Sequence, residues 1–214
     1  MRRSRSRNIQ PLLREVTISK NDLIAPLFVD ENIETPLPIQ AMPGQFRYPV
    51  SGIAAVVREL GEKGIRAVLI FGIPKTKDSE ARSAYDPDGV VQQAVRRIKT
   101  EVPEMVVITD VCACEYTDHG HCGIVGPTRC GTDLLNDPSL DLMDRIAVSH
   151  ARSGADIVAP SCMLDGGVQS VRQALDREGF SDVLIMSYST KFASALYGPF
   201  REAADSGFHF GDRS

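Results

Sequence analysis

Long apolar runs are missing from this sequence of 214 residues. No stretch approaches the roughly 18 to 20 consecutive apolar residues that a membrane-spanning helix needs. The N-terminus also lacks the apolar segment of a secretory signal. These absences predict a soluble protein of the cytoplasm without a membrane partner, and 43% hydrophobic residues are enough for one sizeable core.

A large excess of positive charge is also missing. The formal net charge is -4 and the sequence pI is about 5.6, so we expect no nucleic-acid partner. Four arginines nevertheless crowd the first seven residues, MRRSRSR. Such a tract could contact RNA or a membrane, but a mobile or oligomer-docking arm is the simpler interpretation. We assign residues 1–20 to this arm and residues 21–214 to the folded domain.

The cysteines lack the paired spacing of a disulfide framework or a zinc finger. There are five, an odd number, and three of them lie between positions 112 and 122. This distribution fits a reducing compartment and metal ligation better than disulfide bonding.

Apolar runs rich in branched residues alternate with helical patterns along the chain. The runs begin at Leu23, Arg66, Met105, Ala155 and Asp182. Apolar stripes of helical period lie between them, within residues 53–60, 91–98, 143–150 and 168–175. The β-α alternation predicts a parallel sheet, either an open doubly wound sheet or an eight-stranded barrel that five strands leave unclosed.

In both architectures functional side chains collect beyond the carboxyl ends of the strands. Asp110 ends the third run, Ser161 ends the fourth, and Lys191 follows the fifth. We therefore expect these residues to meet at one rim of the sheet.

The segment DVCACEYTDHGHC concentrates thiol and imidazole groups after the third strand. Thiolate sulfur and imidazole nitrogen are the ligands that zinc prefers, and three thiolates would leave a fourth position open for water or a carbonyl. Alternatively, some of these cysteines are small buried apolar residues. His119 and His121 are weaker candidates than the thiols, because a histidine near a metal is often outside its ligand set. We interpret Cys130 and Cys162 as non-ligands.

Lys191 follows an apolar strand, where burial would lower the pKa of its amine from about 10.4 and favour attack on a ketone. A zinc ion on the same rim would add to that effect, whereas a lysine whose amine reaches solvent would need no catalytic role.

Arg201 and Arg213 could clamp a carboxylate, although isolated arginines usually lie at the surface. Asp110 could orient a proton or a lysine.

Several strings together resemble the 5-aminolevulinate dehydratase (porphobilinogen synthase) family along essentially the whole chain. They are DVCACEYTDHGHCG, MSYSTKFASALYGPFREA and FGDR, accompanied by APLFV, MPGQFRYP, GIP, AYDPDG and VAPSCMLDG. The resemblance implies a (β/α)8 TIM-barrel fold, of which this chain holds about the first five β/α units. It also implies an N-terminal arm that wraps a neighbouring subunit, usually within a homo-octamer.

The resemblance further implies the condensation of two 5-aminolevulinate molecules, with loss of two waters, to porphobilinogen in tetrapyrrole and heme biosynthesis. Cys112, Cys114 and Cys122 then resemble the ligands of a zinc cofactor. Lys191 resembles one of two Schiff-base lysines. The substrate-binding residues implied are Arg201, Arg213, Asp110 and Ser161.

The sequence departs from the family pattern at position 162, where relatives often carry Asp or Ala, and in the variable segment 124–137. It also stops before the string that bears the second lysine, which predicts a fragment of doubtful activity alone.

A class I aldolase-like lyase would also use a barrel lysine but needs no thiol cluster. A non-catalytic, truncated zinc-binding paralogue would need only the cysteines.

Overall fold

The computed structural model describes residues 7–129, 131–189, 191, 194 and 197–207. Its strands are β1 (Ile24–Asp30), β2 (Leu37–Pro38), β3 (Phe46–Pro49), β4 (Ala67–Ile73), β5 (Val106–Val111), β6 (Val125–Thr128), β7 (Gly131–Leu134), β8 (Ile157–Pro160) and β9 (Leu184–Ile185). Its α-helices are α1 (Ile53–Glu62), α2 (Val90–Glu101), α3 (Asn136–Arg152), α4 (Gly167–Arg177) and α5 (Tyr197–Ala203).

The main sheet of the described residues has seven strands in the order β2-β3-β1-β4-β5-β8-β9. All neighbouring pairs are parallel except β2 and β3. The helices α1 to α4 fall between successive parallel strands, which is the β-α alternation expected from the sequence. The predicted parallel sheet is therefore confirmed.

The helical stripes predicted from the sequence form the buried faces of the helices. In α2, for example, Val91, Ala94, Val95 and Ile98 are fully buried at the spacing i, i+3, i+4 and i+7. Gly64, Gly154 and Gly179 have positive φ just beyond the ends of α1, α3 and α4. A residue without a Cβ adopts this left-handed backbone without strain, so each glycine ends its helix before the next strand.

Two cores lie on opposite faces of the sheet. The larger core packs β1, β4, β5 and β8 against α1 to α4. The smaller core holds Phe28 and Phe71, whose rings stack 5.3 Å apart, with Phe200 of α5 edge-on to Phe71 at 5.1 Å. Because successive strand residues face opposite sides, α5 lies on the face away from α1 to α4.

Some elements differ from the sequence prediction. The fifth apolar run forms only the two-residue strand β9, although the amides of Met186 and Tyr188 continue to donate to carbonyls of β8. The variable segment forms an antiparallel hairpin of β6 and β7, and β2 and β3 are additional short strands. β2 and β3 each contain a proline, which is rare within strands, so their sequences do not predict a strand.

Residues 7–23 carry two short 3-10 turns and are mostly exposed, whereas residues 1–6 of the predicted arm lie outside the described residues. Among the helices of the described residues, none combines the length and the apolar character that a membrane span requires.

Candidate active site

The carboxyl ends of β5, β8 and β9 bring three of the predicted site residues together. Asp110 pairs with Ala159 in the β5–β8 register, and the Ser161 hydroxyl donates to Asp110 Oδ2 at 3.3 Å. Lys191 Nζ in turn donates to the main-chain carbonyl of Ser161. These contacts form a chain of neighbours from β5 to the segment after β9.

Three sulfur atoms gather beside Asp110. The Sγ atoms of Cys112, Cys114 and Cys122 all lie within 4.8 Å of one another, and Cys112 and Cys114 are 3.2 Å apart. Two thiolates that bind one tetrahedral zinc ion at about 2.3 Å would be about 3.8 Å apart. The cysteines are free, and their spacing and donor chemistry fit a metal ion.

The loop between β5 and β6 folds back on itself and so brings Cys122 to the other thiols. The amides of Tyr116 and Thr117 donate to the Ala113 carbonyl at 2.9 Å, which makes a tight turn directly after Cys112. Further along, the Thr117 hydroxyl donates to the His121 carbonyl at 2.9 Å. Local hydrogen bonds therefore close the loop around the sulfur atoms.

The two histidines of this loop form a contact of their own. The His121 amide donates to His119 Nδ1 at 3.1 Å, and the two rings are 5.6 Å apart. Among the described residues, the clusters that could hold a metal contain only cysteine and carboxylate ligands.

Two further groups at this site, buried Glu115 and partly buried Cys162, were not predicted from the sequence as site residues. The Cys114 thiol donates to Glu115 Oε2 at 3.3 Å, and Glu115 is itself buried. Cys162 Sγ lies 3.5 Å from Cys112 Sγ. An acidic residue directly after a thiol ligand was the available signal for Glu115, whereas Cys162 is brought to the cluster by the pairing of β5 with β8.

Negative groups dominate the electrostatics of the rim. Burial raises the pKa of Asp110 well above its usual range, and the nearby charges of Glu115 and Cys112 raise it further. Burial and the neighbouring Asp110 likewise raise the pKa of Tyr188. Burial and its negative neighbours therefore favour the protonated form of Asp110.

Lys191 differs from the sequence expectation in its pKa. Burial does work to lower that pKa, but attraction to Cys112, Asp110 and the other thiols outweighs it and leaves the pKa above its usual value. The ammonium also lies 4.7 Å from the centre of the Tyr188 ring, and the residue remains accessible to solvent. Burial therefore acts on the pKa of Lys191 in the predicted direction, and the charges of Cys112 and Asp110 oppose it.

Of the predicted carboxylate clamp, Arg201 lies among the described residues. Arg201 belongs to α5, whose Phe200 packs against Phe28 of β1 and Phe71 of β4. Arg47 of β3 donates to the carbonyls of Glu202 and Ala203 at the end of this helix, and Lys77 pairs with Asp205 at 2.7 Å. Arg213 and Cys130 lie outside the described residues.

The family model described as "Delta-aminolevulinic acid dehydratase" matches residues 1–214. The chain belongs to the delta-aminolevulinic acid dehydratase family. Curated relatives of that name include proteins of Archaeoglobus fulgidus, 54% identical over 213 residues, and Methanothermus sociabilis, 52% identical over 215 residues. Each alignment covers 100% of this chain but only 65% and 66% of the respective relative.

A solved structure agrees with this delta-aminolevulinic acid dehydratase assignment. The Toxoplasma gondii porphobilinogen synthase, in complex with its reaction product porphobilinogen, is 36% identical and superposes with a TM-score of 0.92. The match covers 100% of this chain and 60% of the Toxoplasma chain. The predicted fold class is thereby confirmed as α/β of the TIM-barrel family, with an open sheet in the described residues.

Proposed function

We propose that this chain carries porphobilinogen synthase chemistry, the condensation of two 5-aminolevulinate molecules to porphobilinogen with loss of two waters. The observation that carries the proposal is the meeting of Lys191 with the thiol cluster at one rim, linked through Ser161. Family membership supports the same conclusion. The chain spans about 65% of the length of the Archaeoglobus relative.

Lys191 is proposed as a Schiff-base lysine. Its neutral Nζ would attack the ketone carbon of 5-aminolevulinate, and a water molecule would leave as the carbon-nitrogen double bond forms. Asp110, whose pKa is raised by burial and by Glu115, would supply the proton to the departing hydroxyl group.

We assign zinc to the cluster of Cys112, Cys114 and Cys122, because three thiolates match the ligand preference of zinc. Bound there, the ion would supply Lewis-acid polarisation of a substrate oxygen or nitrogen. The three cysteines would fix its place beside Asp110.

Arg201 and Arg213 are proposed to bind the carboxylate of the substrate molecule held by Lys191. The guanidinium fork matches a carboxylate in geometry and charge. The contacts of Arg47 and Lys77 with the end of α5 support a fixed position for Arg201. Ser161, which donates to Asp110, completes the proposed polar groups of the site.

A cytoplasmic homo-octamer is the proposed assembly, with residues 1–20 as the docking arm and 21–214 as the barrel domain. Exposed apolar side chains in this arm support a partner surface: Leu12 is 84% exposed, Val16 72% and Ile18 74%. The free cysteines are consistent with a reducing compartment.

Borohydride trapping tests the role of Lys191 directly, because it needs only one lysine and one substrate molecule. We expect zinc-loaded protein treated with 5-aminolevulinate and borohydride to gain one adduct, which peptide mass spectrometry locates at Lys191. Lys191→Met should gain none, whereas Lys75→Met, an exposed lysine on the loop after β4, should react like the wild type.

The same experiment separates the competing functions. Trapping of a sugar phosphate in place of 5-aminolevulinate would favour an aldolase-like lyase. Zinc binding without any trapping at Lys191 would favour a non-catalytic zinc-binding module.

A further inference from the structure

The helix α5, which carries Arg201, is too short to be stable without contacts to the rest of the fold. It has seven residues, and they include Gly198 and Pro199, the two residue types with the lowest helix propensity. Isolated helices shorter than about 12 residues are at best marginally stable in water. The position of Arg201 therefore depends on what holds α5 against the sheet.

Arg47 of β3 holds the carboxyl end of this helix. It pairs with Phe28 in the register of β1 and β3, so both side chains lie on the face of the sheet that carries α5. Arg47 Nε donates to the Ala203 carbonyl at 3.0 Å, and a second nitrogen of the guanidinium donates to the Glu202 carbonyl. The last carbonyls of a helix lack partners within it, so the guanidinium supplies donors that α5 does not have.

The guanidinium of Arg47 is itself fixed by the sheet. Asp30, the last residue of β1, is buried, and its Oδ2 lies 3.4 Å from Arg47 Nη1. The other oxygen, Oδ1, accepts from the amide and from the side chain of Asn32, both at 2.9 Å. This pair with a positioned carboxylate orients the guanidinium. The contacts thus run from β1 through Arg47 to the helix that carries Arg201.

A second cation holds the turn after α5. Asp205 has a φ of 49°, and its amide donates to the Glu202 carbonyl at 3.3 Å. The Ser206 amide donates to the Arg201 carbonyl at 3.0 Å, which completes a helix-ending turn that usually has glycine at the left-handed position. Lys77 Nζ donates to the Asp205 carbonyl at 2.6 Å and to its carboxylate at 2.7 Å. Lys77 therefore stabilises a backbone conformation that is unfavourable for aspartate.

We propose that Arg47 is a positioning residue for the carboxylate of 5-aminolevulinate, because it holds α5 where Arg201 binds that carboxylate. This inference rests on the proposed function. With Arg47 present, α5 is in place before the substrate arrives. Without it, the helix is in place for only part of the time, and the apparent affinity falls by that fraction. Arg47 acts through Arg201 and leaves the reacting amine of Lys191 unchanged.

The half-saturating concentration of 5-aminolevulinate in borohydride trapping at Lys191 measures this effect. In zinc-loaded Arg47→Met it should rise about tenfold or more, the factor that corresponds to a lost charge-assisted hydrogen bond. The trapping yield at saturating substrate should equal that of the wild type. Arg47→Lys keeps the cation but not the guanidinium fork, so its value should fall between the two. Arg58→Met, which removes an exposed arginine of α1, should match the wild type.

A matched ketone distinguishes positioning from a general loss of structure. Aminobutanone is 5-aminolevulinate with hydrogen in place of the carboxylate, so it can form the Schiff base without the group that Arg201 binds. Its half-saturating concentration should be the same in the wild type and in Arg47→Met. An equal rise for both ketones would overturn the inference, because Arg47 would then only stabilise the fold.

A second variant keeps the test open if Arg47→Met does not fold, which circular dichroism would show. Lys77→Met should raise the value for 5-aminolevulinate alone, by a smaller factor because its ion pair with Asp205 is partly exposed. Unchanged half-saturation by 5-aminolevulinate in folded Arg47→Met would overturn the inference and leave the proposed function intact. Absence of trapping at Lys191 in the wild type would overturn the proposed function, and the inference with it.

Discussion

Acidic side chains lie at both ends of β5 and β8, but the charges of their neighbours differ. At the amino ends, the Asp156 carboxylate accepts from Lys99 Nζ at 2.8 Å and from the Val107 amide at 2.7 Å. At the carboxyl ends, Asp110 lies among the negative groups of Glu115 and Cys112, with Lys191 as a neighbouring cation. One end is a neutral, hydrogen-bonded pair, and the other collects negative charge.

This difference separates stability from function along the same strands. Asp156 has a cation and an amide as partners, so its carboxylate costs little free energy in the folded state. Its pair with Lys99 also ties α2 to the start of β8. A group of buried acids and thiols is unfavourable by itself, because desolvation and like charge both oppose ionisation. Such a cluster is stable when a cation joins it, which is the property expected of a metal centre.

The largest effect that would test this contrast is stabilisation by zinc. A ligand that binds only the folded state at 1,000 times its Kd stabilises it by about 4 kcal/mol. We expect a gain of about that size in the free energy of unfolding of the wild type, measured by urea titration with zinc and with a chelator. Cys112→Ser should lose nearly all of this gain, since it removes a thiolate at the centre of the cluster.

Ser153→Ala provides the matched control at the amino end of β8. Its hydroxyl donates to the Ser149 carbonyl at 3.0 Å, within the last turn of α3 and before β8 begins. The variant should keep the full stabilisation by zinc. An equal loss in Ser153→Ala and Cys112→Ser would contradict the assignment of the metal to the carboxyl end.

The strands and helices were easier to predict from the sequence than the site, because the periodicity of apolar residues alone locates them. The strands β1, β4, β5 and β8 and the helices α1 to α4 follow directly from apolar spacing. The helix α5 carries Gly198 and Pro199 and has no apolar stripe, so its sequence gives no helical signal.

The site was predictable in its residues but not in its electrostatics. Strand order brings Asp110, Ser161 and Lys191 together, as the rule of carboxyl ends indicates. The raised pKa of Lys191 could not be foreseen, because it depends on how the loop after β5 folds the thiols toward the amine. The contact of Cys162 with Cys112 likewise depends on the register of β5 and β8.

A second, smaller effect concerns His150, in the last turn of α3 near the amino end of β8. The residue is fully buried, and neither ring nitrogen has a hydrogen-bond partner among the described residues. Burial lowers its pKa to about 3. The unfolded chain, with a histidine pKa near 6.5, therefore binds the proton first, and stability falls as the pH drops from about 6.5 toward 3.

His150→Leu should remove this pH dependence. The loss attributable to His150 at pH 5 is about 2 kcal/mol, since 1.5 pH units below 6.5 correspond to about 1.4 kcal/mol each. The measurement is urea unfolding of the wild type and of His150→Leu at pH 7.5 and pH 5, each with a chelator. The fall in the free energy of unfolding between the two pH values should be larger in the wild type by this amount. Asp110, whose raised pKa adds stability as the pH falls, is common to both proteins and cancels. An identical fall in both proteins would show that His150 does not titrate on unfolding.

The smallest expected effect concerns the neutral pair at the amino end. Lys99→Met removes the cation that binds both oxygens of Asp156 and also the Met105 carbonyl. The pair is partly exposed, so solvent screens it, and we expect a loss of only about 1 to 2 kcal/mol in the free energy of unfolding. Zinc affinity should stay within about twofold of the wild type, because the thiols lie at the other end of the strands. A zinc affinity that fell together with stability would mean that the two ends are coupled, and the division between a stabilising end and a metal-binding end would then fail.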